Sequence, residues 1–302
     1  SIDSRTCQRG DVFVALPGEK FDGHDYVAEV LARGATAALV SRPVTGLEND
    51  PRLMRVPDTR AALVKLGQAV RAGTLAKIIG VTGSVGKTST KDALRVLLSA
   101  QAPTSASAAS FNNHVGVPIS LCRLPREARF GVFEIGMNHP GEIEPLARQV
   151  EAHVGVITTV GPVHVGYLGS EEAVADEKAC LFAGMAADAV AVLNRDIGLY
   201  ERLAAHARRF GVSRIVRFGR NEAAEVRLVS CTLQDSGSDV VALIHGRRIE
   251  YRLGAAGEHW VLNSLAALAV VEALGADVDG AAATLAGVGA SPGRGARRML
   301  RF

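Results

Sequence analysis

The sequence is short of cysteine, lysine and long apolar runs, and each shortage excludes something. Its four cysteines, Cys7, Cys122, Cys180 and Cys231, stand far apart and form no CxxC pair. Zinc-ribbon and thioredoxin-type chemistry are thereby excluded. A disulfide framework is not expected in a chain of 302 residues with so few thiols, so reduced cysteines and a cytoplasmic setting are expected. The longest apolar stretch, "LNSLAALAVVEALGA", carries Asn263, Ser264 and Glu272 and is too short to span a bilayer. No secretory signal pattern and no transmembrane segment are seen. A formal charge of only +3 calls for neither nucleic acid nor an anionic membrane as partner. A monomer is expected. Only six residues are lysine, with arginine the default cation.

What is present is an ordinary globular balance, 48% hydrophobic and 22% charged, in a length that suits two domains. Residues 1–74 mix short strand-like runs ("DVFVAL", "AALV") with a helix-like "HDYVAEVLARGA" and a turn-rich "LPGEKFDGHD". They read as a small α/β domain. "DTRAALVKLGQAVRAG" has a helical apolar period, with Asp58 or Thr59 as its cap. From about residue 75 to 302, strands and helices alternate: "KIIGVTG", "FGVFEIG", "VGVITTVG" and "DAVAVLNRD" are strands, each followed by a helical segment. This predicts an α/β domain with a mostly parallel sheet. "EVRLVSCTLQDSGSDVVALIHGRRIEYRLG" predicts a smaller antiparallel sheet, and "HWVLNSLAALAVVEALG" a closing helix.

The stretch "KIIGVTGSVGKTST" carries the chemistry most plainly. An apolar strand, a turn with Gly83, Ser84 and Gly86, and a helix opening at Lys87, Thr88 and Ser89 would aim backbone N–H groups and a helix dipole at phosphate. Lys87 adds a point charge, and Thr88 a hydroxyl for Mg²⁺. The strict phosphate-loop spacing wants glycine where Val81 stands. Glu134 ends a strand, where ligands of open α/β sheets gather, and its apolar neighbours argue against free solvation. A carboxylate there suits Mg²⁺. His164, in "TTVGPVHVGYLGS", also follows a strand. Lys178, in "ADEKACLF", reads on spacing alone as a surface residue of an amphipathic helix. Asn112 and Asn113, in "SFNNHVGVP", read as turn formers.

Together these motifs resemble the Mur ligases, ATP-dependent amide-bond formers of peptidoglycan synthesis. That family writes its loop G-x-T-G-x-x-G-K-T/S, and Gly80, Thr82, Gly83, Gly86, Lys87 and Thr88 fit it. Val81 is thereby explained. "SFNNHVGVPISL" and "FEIGMNHPGEIEPL" look like the signatures of the member that adds D-Ala-D-Ala to UDP-MurNAc-tripeptide. Residues 1–74 resemble the uridine-nucleotide domain, with Ser4, Arg5 and the Asp22, Gly23, His24 turn in the substrate-binding positions. The resemblance implies that Gly83, Ser84, Gly86, Lys87, Thr88 and Ser89 hold ATP phosphates. It implies a first Mg²⁺ on Thr88 and Glu134, and a second on His164 and a carbamylated Lys178. Lys87, Lys178 and His164 would carry the catalysis. Asn113, Asn138 and His139 match positions near the nucleotide and metals, Asn263 an asparagine facing adenine, and Arg294 an arginine at the junction to a further domain.

Three departures stand out. Trp260 replaces an asparagine, Cys180 an acidic residue two after the lysine, and Thr159 an asparagine. The family's third, C-terminal domain is expected to be missing from this chain, and the start at Ser1 suggests a clipped N-terminus. Rival readings are the related ligase that adds the third peptide residue, a folylpolyglutamate-type synthetase, a P-loop switch or motor ATPase, and a non-catalytic nucleotide-binding module. The "NNHVGVP" segment and the uridine-type first domain argue against the first two. The ATPase class should show an Asp-ending second strand, and none is evident.

Overall fold

Residues 77–82 alternate little and bury almost everything, which is how a strand covered on both faces is written. The computed structural model describes residues 1–108, 111–186 and 188–289. It divides into one unit of residues 1–73 with 121–123, and a second of 74–120 with 124–302.

In the first unit, β1 (Val12–Val14), β2 (Ala37–Val40) and β3 (Leu53–Arg55) form a parallel three-stranded sheet. α1 (Val27–Ala32) and α2 (Thr59–Gly73) accompany it. Phe13, Val27, Val30, Ala38 and Val40 make its core. Asp58 is the cap of α2, accepting the N–H groups of Arg60 and Ala61 at 2.7 and 3.1 Å. The Thr59 hydroxyl instead donates to the Ala15 carbonyl.

In the second unit the chain runs β4 (Lys77–Thr82), α3 (Lys87–Ser99), β5 (Thr104–Ala106), α4 (Gly116–Cys122, its last two residues counted with the first unit), β6 (Phe130–Glu134), α5 (Ile143–Val150), β7 (Val154–Ile157), α6 (Val165–Leu168) and α7 (Glu171–Ala179). It continues through β8 (Val190–Asn194), α8 (Tyr200–Arg209), β9 (Arg214–Gly219), β10 (Val226–Gln234), β11 (Gly237–Ile244), β12 (Arg247–Leu253), α9 (Glu258–Ala273) and α10 (Val278–Thr284). The strand order is β12-β11-β10-β9-β8-β7-β4-β6-β5. Pairing is parallel from β5 to β10 and antiparallel from β10 to β12.

The antiparallel strands, expected as a smaller sheet of their own, are thus continuous with the parallel one. The join is β9, "RIVRFG", which pairs with β8 on one side and through Val226↔Phe218 with β10 on the other. Helix α9 is apolar around most of its circumference because it is enclosed by neighbours that include α3, β9, β10 and α10. Among the described residues no helix is long and apolar enough to cross a membrane. Strand β4 is flanked by β6 and β7, so the chain turns to one side of it and then to the other. The loops leaving β4, β6 and β7 therefore open at a switch point, where α/β sheets bind ligands.

Candidate nucleotide and cation site

The loop after β4 is held in shape by the loop after β7. Thr158 donates its hydroxyl to the Val85 carbonyl at 2.6 Å, and its N–H to Thr82 O at 3.0 Å. Ser84 donates its N–H to Thr159 O at 2.9 Å and exchanges hydrogen bonds with the Gly161 backbone through its hydroxyl. Ser84 is therefore a strut of the loop. Gly83 has φ +148°, and a Cβ there would run into the Thr158 hydroxyl. Gly83→Ala is expected to cost about 1–3 kcal/mol and to weaken nucleotide binding. A denaturant melt and nucleotide titration of the variant check this, and unchanged values for both would contradict this role for Gly83. Gly86, at φ +85°, opens α3. The Lys87 ammonium donates to the Gly83 carbonyl at 2.7 Å, within the curl of the loop.

Glu134, at the end of β6, is 1% exposed. One carboxylate oxygen accepts from the Thr88 hydroxyl at 2.7 Å and the other from the Asn112 amide at 2.8 Å. Both donors are neutral. A buried carboxylate one hydrogen bond from the loop threonine is a hard-oxygen pair of the kind Mg²⁺ takes beside phosphates. Among the described residues no group of three or more His, Cys, Asp or Glu could cage a metal by itself. The donor set thus fits a cation that draws further ligands from a bound phosphate and water.

Lys178 is 1% exposed, so the surface position that its spacing predicts is not where it lies. Helix α7 is enclosed on this side, and burial pulls the lysine down to about 7, with the Lys87 charge pushing the same way and Glu177 opposing. His164 is also held below its usual value, by burial first and then by Lys178 and Lys87. Its backbone is left-handed, φ 71°, unusual outside glycine. Lys87, His164 and Lys178, from three segments, therefore stand close enough that positive charge on one disfavours it on the others.

Beside the loop lies a cavity of about 440 Å³ lined by Val85, Gly86, Ser89, Thr158, Thr159, Asn194, His259, Leu262 and Asn263. Asn263 leans on Gly86 so closely that a Cβ there would sit 2.6 Å from its side-chain oxygen. Trp260 points away, into the core. Asn113 uses its side-chain oxygen to accept the Val115 and Gly116 N–H groups, leaving Asn112 as the asparagine that touches Glu134. The backbone N–H groups of Asn138 and His139 donate to Glu142, and the His139 ring meets Tyr167 edge-on at 5.1 Å. Arg294 lies outside the described residues.

In the first unit, Arg5 is paired with Asp3, while the Ser4 carbonyl accepts from Arg33. Asp22 is lowered to about 2: partial burial opposes the shift, but hydrogen bonds from His24 and Arg42 outweigh it. The His24 ring is 2% exposed, with one nitrogen on Asp22 and the other accepting the Ser41 N–H at 2.9 Å. Its contribution is to shape the turn. Gly23 presses against Leu16, whose backbone nitrogen would lie 2.7 Å from an added Cβ. Sequence reasoning missed Thr158 and Asn112 as site builders. A threonine closing an apolar strand beside a glycine-rich loop was the only signal for the first.

Comparison with known proteins matches residues 81–271 to the Mur ligase middle domain and residues 1–77 to the Mur ligase family, catalytic domain. The chain is 36% identical over 280 residues to the UDP-N-acetylmuramoyl-tripeptide–D-alanyl-D-alanine ligase of Synechocystis, covering 91% of this chain and 58% of that one. It is 33% identical over 295 residues to the ligase of the same name from Escherichia coli, covering 97% and 64%. Among solved structures, MurF from Acinetobacter baumannii superposes with a TM-score of 0.87 at 33% identity, over 97% of this chain and 63% of that one. MurF from Thermotoga maritima in complex with ADP gives 0.80 at 27%, over 93% and 65%. The chain spans roughly three fifths of the length of these relatives.

Proposed function

The chain belongs to the Mur ligase family, and from that premise we propose that it is the substrate- and ATP-binding part of a ligase joining D-Ala-D-Ala to UDP-MurNAc-tripeptide. The observation that carries the reading is the meeting of the Lys87 loop, the Thr88–Glu134 pair and buried Lys178 beyond the carboxyl ends of the central strands. The names of its relatives supply the substrates.

ATP would lie with its phosphates on the loop amides and Lys87, and its base toward the cavity of Asn263 and His259. Thr88 and Glu134 would hold one Mg²⁺, and His164 and Lys178 a second. When bound, the ions supply charge neutralisation at the phosphates. The terminal carboxylate of the tripeptide attacks the γ-phosphorus. A bond forms from the carboxylate oxygen to phosphorus, and ADP leaves. The dipeptide amine then attacks the acyl carbon, and phosphate departs with the carboxylate's oxygen. The loop and Lys87 orient the phosphoryl group and oppose its developing charge.

Lys178 would serve as an oxygen ligand only after its amine had taken up CO₂. Burial favours this, because it lowers the amine to about 7 and so leaves a substantial fraction neutral and nucleophilic near that pH. Ser4, Arg5, Asp22 and Gly23 would face the uridine diphosphate, and Asn113 and Arg294 the nucleotide side. A cytoplasmic setting fits the four free cysteines, and the enzyme is proposed to act as a monomer. The test is ADP release by the complete gene product. Sustained release over many turnovers should require the tripeptide nucleotide and the dipeptide together. Release that is indifferent to both would support a P-loop ATPase instead.

A further inference from the structure

Glu177 precedes Lys178 in α7 yet aims its carboxylate at a different partner. One oxygen accepts the Gly141 N–H and the other the Ile143 N–H, each at 2.9 Å. Its side chain is buried. Ile143 is the first residue of α5, so Glu177 satisfies an N–H that the helix cannot satisfy itself, and its charge suits the helix dipole. The loop so gripped follows Glu134, the last residue of β6, and carries Asn138 and His139. His139 in turn meets Tyr167, in the segment that carries His164. The segments bearing Glu134, His164 and Lys178 are thus tied in series, and Glu177 makes the buried, charged tie.

Three residues after Glu177, capping the end of α7, stands Cys180, where the family resemblance leads one to expect an acid. Positions three apart share a helix face. Burial, with Glu177 next, pushes the Cys180 thiol up to about 11, so it stays neutral, and it donates to the Asp176 carbonyl at 3.4 Å. The anion on this face of α7 is supplied by Glu177.

We propose that Glu177 is a positioning residue: it fixes α7, and Lys178 with it, against the 136–142 loop, so that the groups on β6 and α7 meet at one working distance. This rests on the ligase reading. A displacement of about 1 Å at such a site can cost about 10²-fold in rate.

The test compares Glu177→Gln, which keeps the volume but turns a donor toward one of the two amides, with Glu177→Ala. Three quantities are read on the complete gene product: amide exchange at Gly141 and Ile143, kcat, and KM for ATP. The expected result in the alanine variant is exchange at both amides faster by at least about tenfold. With it, kcat should fall about 10–100-fold while KM for ATP stays within about threefold, because the phosphate loop is untouched. The glutamine variant should fall between. Faster exchange with unchanged kcat, or kcat and KM moving together, overturns the proposal. If the unaltered protein forms no amide bond, the ligase reading fails by itself. Unchanged amide exchange in the alanine variant would still overturn the clamp.

Discussion

In the complete gene product, Lys87→Ala is expected to abolish the proposed ligation while leaving the fold intact. The side chain lies in the curl of the loop, with its ammonium 2.7 Å from the Gly83 carbonyl, so it is placed where a β,γ-phosphate group would meet the opening of α3. Removing this ammonium from a site proposed to work by charge neutralisation is expected to lower kcat/KM at least about 10³-fold. Lys87→Arg should not restore it, because the planar guanidinium is too large for a loop drawn this tightly around an ammonium. Thermal melts should shift little, since the side chain is only partly buried. A variant retaining activity within about tenfold would mean that the phosphates bind elsewhere.

The second large effect concerns Lys178. Lys178→Met keeps a long flexible chain in the buried position without an ammonium, so folding should be preserved. Ligation should fall about 10²–10³-fold, the scale of losing one electrostatic participant. The same residue gives a spectroscopic readout. Protein equilibrated with carbon-13 bicarbonate should show a carbamate signal that is missing from Lys178→Met. The direction with pH follows from the lowered lysine. Below about 7 the side chain is an ammonium and cannot attack CO₂. Above it the neutral amine forms the N–C bond and releases a proton. The signal should therefore grow as pH rises through about 7 at constant dissolved CO₂. A methionine variant of full activity, together with no signal at any pH, would remove the carbamate from the scheme.

The parts of the site that were legible in sequence are those made by local chain geometry. A strand, a glycine turn and a helix start stand within 23 residues, from Lys77 to Ser99, and the loop could be read without knowing the fold. Glu134 was legible because a carboxylate closing an apolar strand must be met there by a cation or by hydrogen-bond donors. Lys178 was not legible from spacing, because nothing in "ADEKACLF" tells which face of the helix is enclosed. Only the family likeness pointed to it. Asn112 and Asn113 share one turn, and their roles are separated by which one reaches across 22 residues to Glu134. Glu177 was silent for the same reason: its partners lie 34 and 36 residues earlier. In the sheet, "RIVRFG" hid β9 behind two arginines, and with it the continuity of the parallel and antiparallel parts.

The central claim is that a peptide carboxylate, and not water, takes the γ-phosphate. It is tested most directly by labelling the terminal carboxylate of UDP-MurNAc-tripeptide with oxygen-18 and supplying ATP, Mg²⁺ and D-Ala-D-Ala to the complete gene product. One labelled oxygen should appear in the phosphate released for each amide bond formed. Phosphate that carries no label while ATP is consumed would contradict the acyl-phosphate route.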